Sequence, residues 1–311
     1  MEVCREKQGK IIDKELQGTI KKMLARGETS QKDIAVQIGY STSSVNLYLN
    51  KDTFVGDIDK IENELKKFIK VHNDSKKYER VELQFIKTRV TERIYSVANM
   101  CRANGEICMC YGQAGVGKTI SIRKYAQENS GVIIISPSDF SNARSVLMQI
   151  VEKLKIVTAT SHISDITAEI QKKLKGSNYL VIIDEAENLN SEIMRRLRNI
   201  HDYCEFTFGL LLVGTDRLYK NLKSLRGDFS YLFTRIAYKE SLCTIDEKDI
   251  AELTRQIYPD ANLEVIKAFE RHSGKNTRVL FNLLKRTHDL LYTSKKEISP
   301  RVVEAAKELI F

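Results

Sequence analysis

The chain has 311 residues, a length that suits two or three domains, and its 42% hydrophobic content can fill sizeable cores. Fifty Lys and Arg against 41 Asp and Glu give a formal charge of +9 and point towards a polyanionic partner. No run of about 18 uncharged apolar residues exists, and Met1-Glu2-Val3-Cys4-Arg5 lacks the apolar core of a signal peptide, so a cytoplasmic protein without a membrane partner is expected.

From the N-terminus, Leu16, Ile20, Met23 and Leu24 recur at helical spacing before Gly27, which suits a C-terminal glycine cap. Ser30-Gln31-Lys32-Asp33 is a capping pattern that opens a second helix through Ile38, and Gly39 ends it. Ser41 and Thr42 can cap a third helix with Val45, Tyr48 and Leu49 inward. Small Ala35, Gly39 in the turn and apolar Val45 have the spacing of a helix-turn-helix. On that geometry Ser43, Ser44, Asn46, Leu47 and Asn50 face a DNA groove, with Lys51 near phosphate. A structural or protein-binding three-helix bundle fits the same pattern, because no Arg or Lys precedes Lys51 on the third helix. Residues 57–72 form a further amphipathic helix. The polar stretch from His72 to Arg80 reads as a linker, giving an N-terminal all-α domain over 1–72 and a linker over 73–87.

A helix over 88–103 leads to the apolar run Ile107 to Tyr111 and then to Gly112-Gln113-Ala114-Gly115-Val116-Gly117-Lys118-Thr119, followed by a helix from Ile120. G-x-x-x-x-G-K-T between strand and helix is a P-loop: glycines let successive N–H groups face a phosphate chain, and the helix adds its positive end. Lys118 is placed to reach the β- and γ-phosphates of ATP and Thr119 to ligate Mg²⁺. Val132 to Ile135 reads as a strand, and Ala143–Lys155 and Ile163–Leu174 as helices. Tyr179 to Ile183 is a buried-type strand ending in Asp184 and Glu185. Asp184 then holds the Mg²⁺ shell and Glu185 polarises the attacking water. A helix over 192–201, a strand over 208–213 and a short strand over 236–238 follow. Helical segments at 246–257, 261–272, 277–292 and 299–309 complete the chain. Strands alternating with helices predict an α/β core over 88–243, a parallel P-loop sheet with helices on both faces, and a separate helical domain over 244–311.

Ten Lys and Arg against five Asp and Glu make residues 265–311 the most basic region. The six cysteines show no metal-ligand spacing beyond a lone C-x-C at Cys108 and Cys110, and read as reduced small hydrophobes. The five histidines form no ligand pair.

The order of these motifs resembles the AAA+ ATPases, more narrowly the ATP-dependent transposition regulators. The P-loop, Val181 to Leu189, a strand ending Val213-Gly214-Thr215, Leu232-Phe233-Thr234-Arg235-Ile236 and a basic helical lid carry the resemblance. It implies that Thr215 is the polar sensor between the two catalytic motifs and that Arg235 is the arginine finger for a neighbouring subunit, with Arg226 as competitor. It also implies that Arg278 is the lid arginine that senses nucleotide. Where relatives often have Gly three residues before that arginine, this chain has Lys275, with Gly274 one step earlier. Further implied are ATP-dependent, sequence-tolerant binding of double-stranded DNA, a homo-oligomeric filament or ring on it, and activation of a transposase, with slow hydrolysis controlling disassembly. Ser138, Asn142, Arg144 and Lys153 are then candidates for phosphate contact, although a solvated helix face explains them equally. A helicase loader or replication initiator, and an ATP-switched transcription regulator, are the competing readings.

Overall fold

The computed structural model describes residues 10–54, 56–77, 83–138, 141–160, 162–223, 233–294 and 297–310. The chain divides into two compact units at residues 80 and 81.

In the first unit, α1 (Lys14–Ala25), α2 (Gln31–Ile38), α3 (Thr42–Asn50) and α4 (Ile58–Lys77) enclose a core that includes Ile20, Ile34, Ala35, Val45, Tyr48, Leu49, Ile61 and Leu65. The expected caps form: Ser30 Oγ accepts from Asp33 N at 3.1 Å, and Ser41 Oγ accepts from Ser44 N at 3.1 Å. Gly39 has φ +71°, so the turn between α2 and α3 uses the left-handed conformation that glycine adopts without strain. The buried Tyr48 hydroxyl donates to Glu62 Oε1 at 3.1 Å, and the same oxygen accepts from Asp13 N at 2.8 Å, which ties α4 to α3 and to the start of α1. Two findings depart from expectation. The unit is not purely helical, since β1 (Lys10–Ile11) pairs antiparallel with β2 (Thr53–Phe54). Moreover α4 runs five residues past 72, because the polar stretch from Asn73 to Lys77 contains no helix breaker.

The second unit is a five-stranded sheet in the order β4-β5-β6-β3-β7, every neighbouring pair parallel. Its strands are β3 (Ile107–Gly112), β4 (Val132–Ile135), β5 (Leu180–Ile183), β6 (Gly209–Gly214) and β7 (Ile236–Leu242). Successive residues point to opposite faces, so β5 sends Val181 and Ile183 into one core and Leu180 and Ile182 into the other. The first core is closed by α7 (Ala143–Lys153), α8 (Ile163–Leu174), α9 (Ser191–Tyr203) and α10 (Asp216–Lys223). The second is closed by α5 (Arg89–Asn104) and α6 (Lys118–Glu128). Four lid helices continue that second core: α11 (Glu247–Ile257), α12 (Leu263–Ser273), α13 (Thr277–Ser294) and α14 (Pro300–Glu308). Burial on both faces explains why β3, β5 and β6 read as continuous apolar runs.

β7 spans seven residues rather than the three expected. As an edge strand it exposes Ala237 and Tyr238, and the polar stretch Tyr238-Lys239-Glu240-Ser241 hides it from a search for apolar runs. The helix α10 was likewise not expected, because its eight residues bury only Leu218 and Leu222.

Candidate nucleotide site

The parallel strands place their C-terminal ends together, the usual location of a ligand crevice in such sheets. The P-loop leaves β3 there, Asp184 and Glu185 leave β5, and Thr215 leaves β6. The lid closes the other side, forming a cavity of about 440 Å³, inside the roughly 300–1,000 Å³ range of small-ligand sites. Residues Ala114 to Ile120, Asp184, Glu185, Thr215 and Arg278 line it, so most of the sequence-predicted pocket residues converge; Gly112 and Gln113 are not on its wall and connect to it through Lys118.

The Lys118 ammonium donates to Gly112 O and to Gln113 O, each at 2.8 Å. Its burial pulls the pKa below the ordinary lysine value, against the opposing charges of Glu187, Asp184 and Asp216. Thr119 Oγ1 donates to Asp184 Oδ2 at 2.8 Å, and Asp184 Oδ1 accepts from Glu185 N at 3.0 Å. Desolvation raises the Asp184 pKa despite these bonds and the nearby Arg123 and Lys118 charges. Glu185 is exposed, with φ 52° and ψ 40°, a left-handed conformation that costs a non-glycine residue about 1–2 kcal/mol. Such strain is concentrated at functional positions.

These residues fit a nucleotide polyphosphate. Gly115 and Gly117 have φ +84° and +99°, and α6 begins at Lys118 with its amide end towards the cavity. The buried Thr277 Oγ1, on the cavity wall, has no hydrogen-bond partner. One hydroxyl and one carboxylate, Thr119 and Asp184, offer hard oxygen donors suited to Mg²⁺, which completes its shell with water and phosphate. Among the described residues no cluster of three or more His, Cys, Asp or Glu side chains could hold a metal independently.

A family model described as an AAA domain matches residues 101–222. The "ATP-dependent target DNA activator B" of Escherichia phage Mu is 26% identical over 271 residues, covering 84% of each chain. The "Mu-like prophage FluMu DNA transposition protein B" of Haemophilus influenzae is 26% identical over 268 residues, covering 84% of this chain and 92% of its own. Among solved structures, the Aeropyrum pernix ORC2 protein in its ADP form superposes with a TM-score of 0.54 at 18% identity, covering 75% of this chain and 72% of its own. The chain contains an AAA domain and has the parallel-sheet P-loop fold of an ATPase. The lid, the strand order and the position of the P-loop all belong to that fold.

Arg235 does not line this cavity. It is exposed just before β7, whose Ile236 pairs with Ile107 at the opposite end of β3 from the P-loop. Arg226 lies outside the described residues. Thr215 lines the cavity and its N–H donates to both carboxylate oxygens of Glu187, each at 3.2 Å. Glu187 is therefore a site residue that motif reading passed over, although it stands in the run Asp184-Glu185-Ala186-Glu187. Also missed were Asn276 and Thr277 and the apolar wall formed by Leu83, Phe85, Ile86, Leu253 and Phe281. Residues 83–86 fall in the stretch expected to be a linker, and their apolar character is the signal that could have placed them.

The candidate DNA contacts are surface residues. Ser43, Asn46, Leu47 and Asn50 are exposed on α3 and Lys51 follows it, while Ser44 Oγ lies 2.9 Å from Ser41 Oγ within the cap. In the second unit Asn142 caps α7 by accepting from Ser145 N at 2.8 Å, and Ser138 Oγ lies 3.2 Å from Ser141 Oγ. Arg144 and Lys153 are both exposed, yet nine residues of helix separate them by about 180° around the axis. They flank opposite borders of α7 and do not form one patch. No helix among the described residues is long and apolar enough to cross a membrane.

Proposed function

We propose that the protein is an ATP-dependent DNA-binding platform that assembles on double-stranded DNA, marks a target site and activates a partner transposase, with slow hydrolysis timing its release. The observation that carries this reading is the similarity to target DNA activators, which runs through 84% of both chains rather than through the ATPase core alone. The net charge of +9 supports a polyanionic partner.

In the proposed cycle, the P-loop amides and the amide end of α6 cradle the phosphates, and Lys118 turns from Gly112 O and Gln113 O towards the β- and γ-oxygens. Thr119 and Asp184 would hold Mg²⁺, which would supply charge neutralisation to the phosphates. Glu185, beside Asp184 but exposed to the cavity, accepts the proton of the attacking water. Thr215 orients that water, and Glu187 fixes the Thr215 backbone. Arg278 brings a lid charge to the phosphates. Arg235 supplies the remaining positive charge to the site of the next subunit, which makes hydrolysis depend on assembly. The helix-turn-helix of the first unit, the start of α7 and the basic lid offer the surfaces for DNA.

Electron microscopy on random-sequence duplex DNA with ATP, ADP or no nucleotide tests the proposal. Continuous assemblies with ATP alone are expected. Discrete particles at one short sequence, independent of nucleotide, would replace it with a sequence-specific regulator.

A further inference from the structure

The lid grips the P-loop through one side chain that no sequence motif singled out. Asn276 Nδ2 donates to Ala114 O at 2.7 Å, while its Oδ1 accepts from Arg278 N at 3.1 Å and from Val279 N at 3.2 Å. The same amide thus caps the N-terminus of α13 and binds the phosphate loop. The next P-loop carbonyl, Gly115 O, accepts from Arg278 N at 2.9 Å. Contact is close enough that a Cβ on Gly115 would stand 2.5 Å from Asn276 Oδ1 and 3.1 Å from Arg278 Cβ.

A trans peptide group is planar, with its C=O and N–H pointing in opposite directions. Holding Ala114 O towards the lid turns Gly115 N–H away from it and fixes its direction, and holding Gly115 O does the same for Val116 N–H. We infer that Asn276 is a positioning residue for ATP and ADP: it orients the phosphate-binding amides of the P-loop and joins lid placement to phosphate binding. The inference rests on the nucleotide-site reading and adds a second lid group to Arg278. Arg278 presents charge, whereas Asn276 acts through the loop backbone. The left-handed Gly274 (φ +58°) and Lys275 (φ +59°) redirect the chain after α12 so that Asn276 meets Ala114. The Ile245 N–H secures this turn by donating to Lys275 O at 3.3 Å.

The test separates loop positioning from helix capping. Asn276→Ser keeps an oxygen that can accept from Val279 N but is too short to reach Ala114 O. Asn262→Ala removes the cap of α12, where Asn262 Oδ1 accepts from Val265 N at 2.9 Å, without touching the P-loop. Kd values for ADP and ATP are measured by titration, with the nucleotide-free unfolding midpoint measured in parallel. Asn276→Ser is expected to weaken both nucleotides about tenfold, the upper end of the worth of one neutral hydrogen bond, and to lower the nucleotide-free midpoint no more than Asn262→Ala does. Asn262→Ala is expected to lower the midpoint and leave Kd unchanged. The inference is overturned if Asn276→Ser binds within about twofold of wild type, or if Asn262→Ala weakens the nucleotides as much as Asn276→Ser does, as a general lid defect would. Wild-type protein that binds neither nucleotide would instead refute the underlying site reading.

Discussion

Replacing Arg235 by Ala tests whether one subunit completes another's active site. Its neighbour Ile236 pairs with Ile107, while Leu242 pairs with Gly112 where the P-loop begins. At about 3.3 Å per residue, Arg235 lies roughly 20 Å below the level of Gly112 along β7, and the phosphates lie beyond that. An arginine side chain does not span that distance, so any action at a γ-phosphate is in trans. Loss of an arginine finger removes about 10³–10⁵ in rate, equivalent to roughly 4–7 kcal/mol of transition-state stabilisation. Arg235→Ala is expected to lose DNA-stimulated hydrolysis on this scale while keeping its ATP Kd, because Lys118, Thr119 and Asp184 are unchanged. Lys118→Ala fails differently, losing the pocket and keeping the finger. In an equal mixture of the two proteins, random head-to-tail pairing gives about a quarter of interfaces an intact pocket and an intact finger. Steady-state turnover should recover towards a quarter of the wild-type value. A mixture that co-assembles on DNA and stays as inactive as its components refutes Arg235 in trans, and Arg226 then becomes the residue to replace.

Three further substitutions probe the site, and a salt series probes DNA binding. Lys118→Ala should weaken ATP by about 3 kcal/mol, roughly 100-fold, through loss of charge-assisted bonds to phosphate; Glu185→Gln should bind ATP near normally yet hydrolyse it about 10²–10⁴-fold more slowly. Titration and phosphate release distinguish them, and wild-type turnover in Glu185→Gln would remove that residue from catalysis. Burial raises the Asp184 pKa above 3.8 in the folded protein, so its contribution to stability is present below 3.8 and is lost as pH rises through the raised value. At neutral pH the buried carboxylate therefore costs stability in nucleotide-free protein, and Asp184→Asn should raise the unfolding midpoint there, with the advantage shrinking in acid. Equal midpoints across a pH series would contradict the burial argument. Binding to random duplex DNA should weaken steeply with salt, each released counterion adding about 0.9 to the log-log slope. A shallow slope with a strong preference for one short sequence would oppose the platform reading.

The sequence carried the features whose chemistry is local. Gly112 to Thr119 announced its loop because only glycines tolerate the φ values at 115 and 117, and Val181 to Glu185 announced a buried strand with acids at its end. Caps at Ser30 and Ser41 fixed helix starts within a residue or two. Less legible were features made by distant segments. β7 is polar because it is an edge, and Leu83 to Ile86 read as linker because nothing nearby in sequence reveals the cavity that they line. Glu187 and Asn276 act on backbone atoms 28 and 162 residues away, contacts with no periodicity or spacing rule. Sequence order alone likewise does not show that Arg144 and Lys153 stand on opposite flanks of α7.

Before ligand arrives, the site satisfies its own strong donors and acceptors. Lys118 is held by Gly112 O and Gln113 O, Thr119 by Asp184, and the loop carbonyls of Ala114 and Gly115 by the lid. Burial still disfavours both ionised groups, lowering the Lys118 pKa and raising that of Asp184. A bare anion relieves the lysine but brings like charge towards Asp184, and a bare cation does the reverse. Only a polyphosphate bound together with a divalent cation answers both, so the two should bind cooperatively. Because the lid holds the carbonyl side of the same peptide groups whose N–H side meets phosphate, that cooperative event extends to the lid. On the proposed function, nucleotide state would thereby bias the placement of helices 263–308, which carry ten Lys and Arg against six Asp and Glu and belong to the surface proposed for DNA.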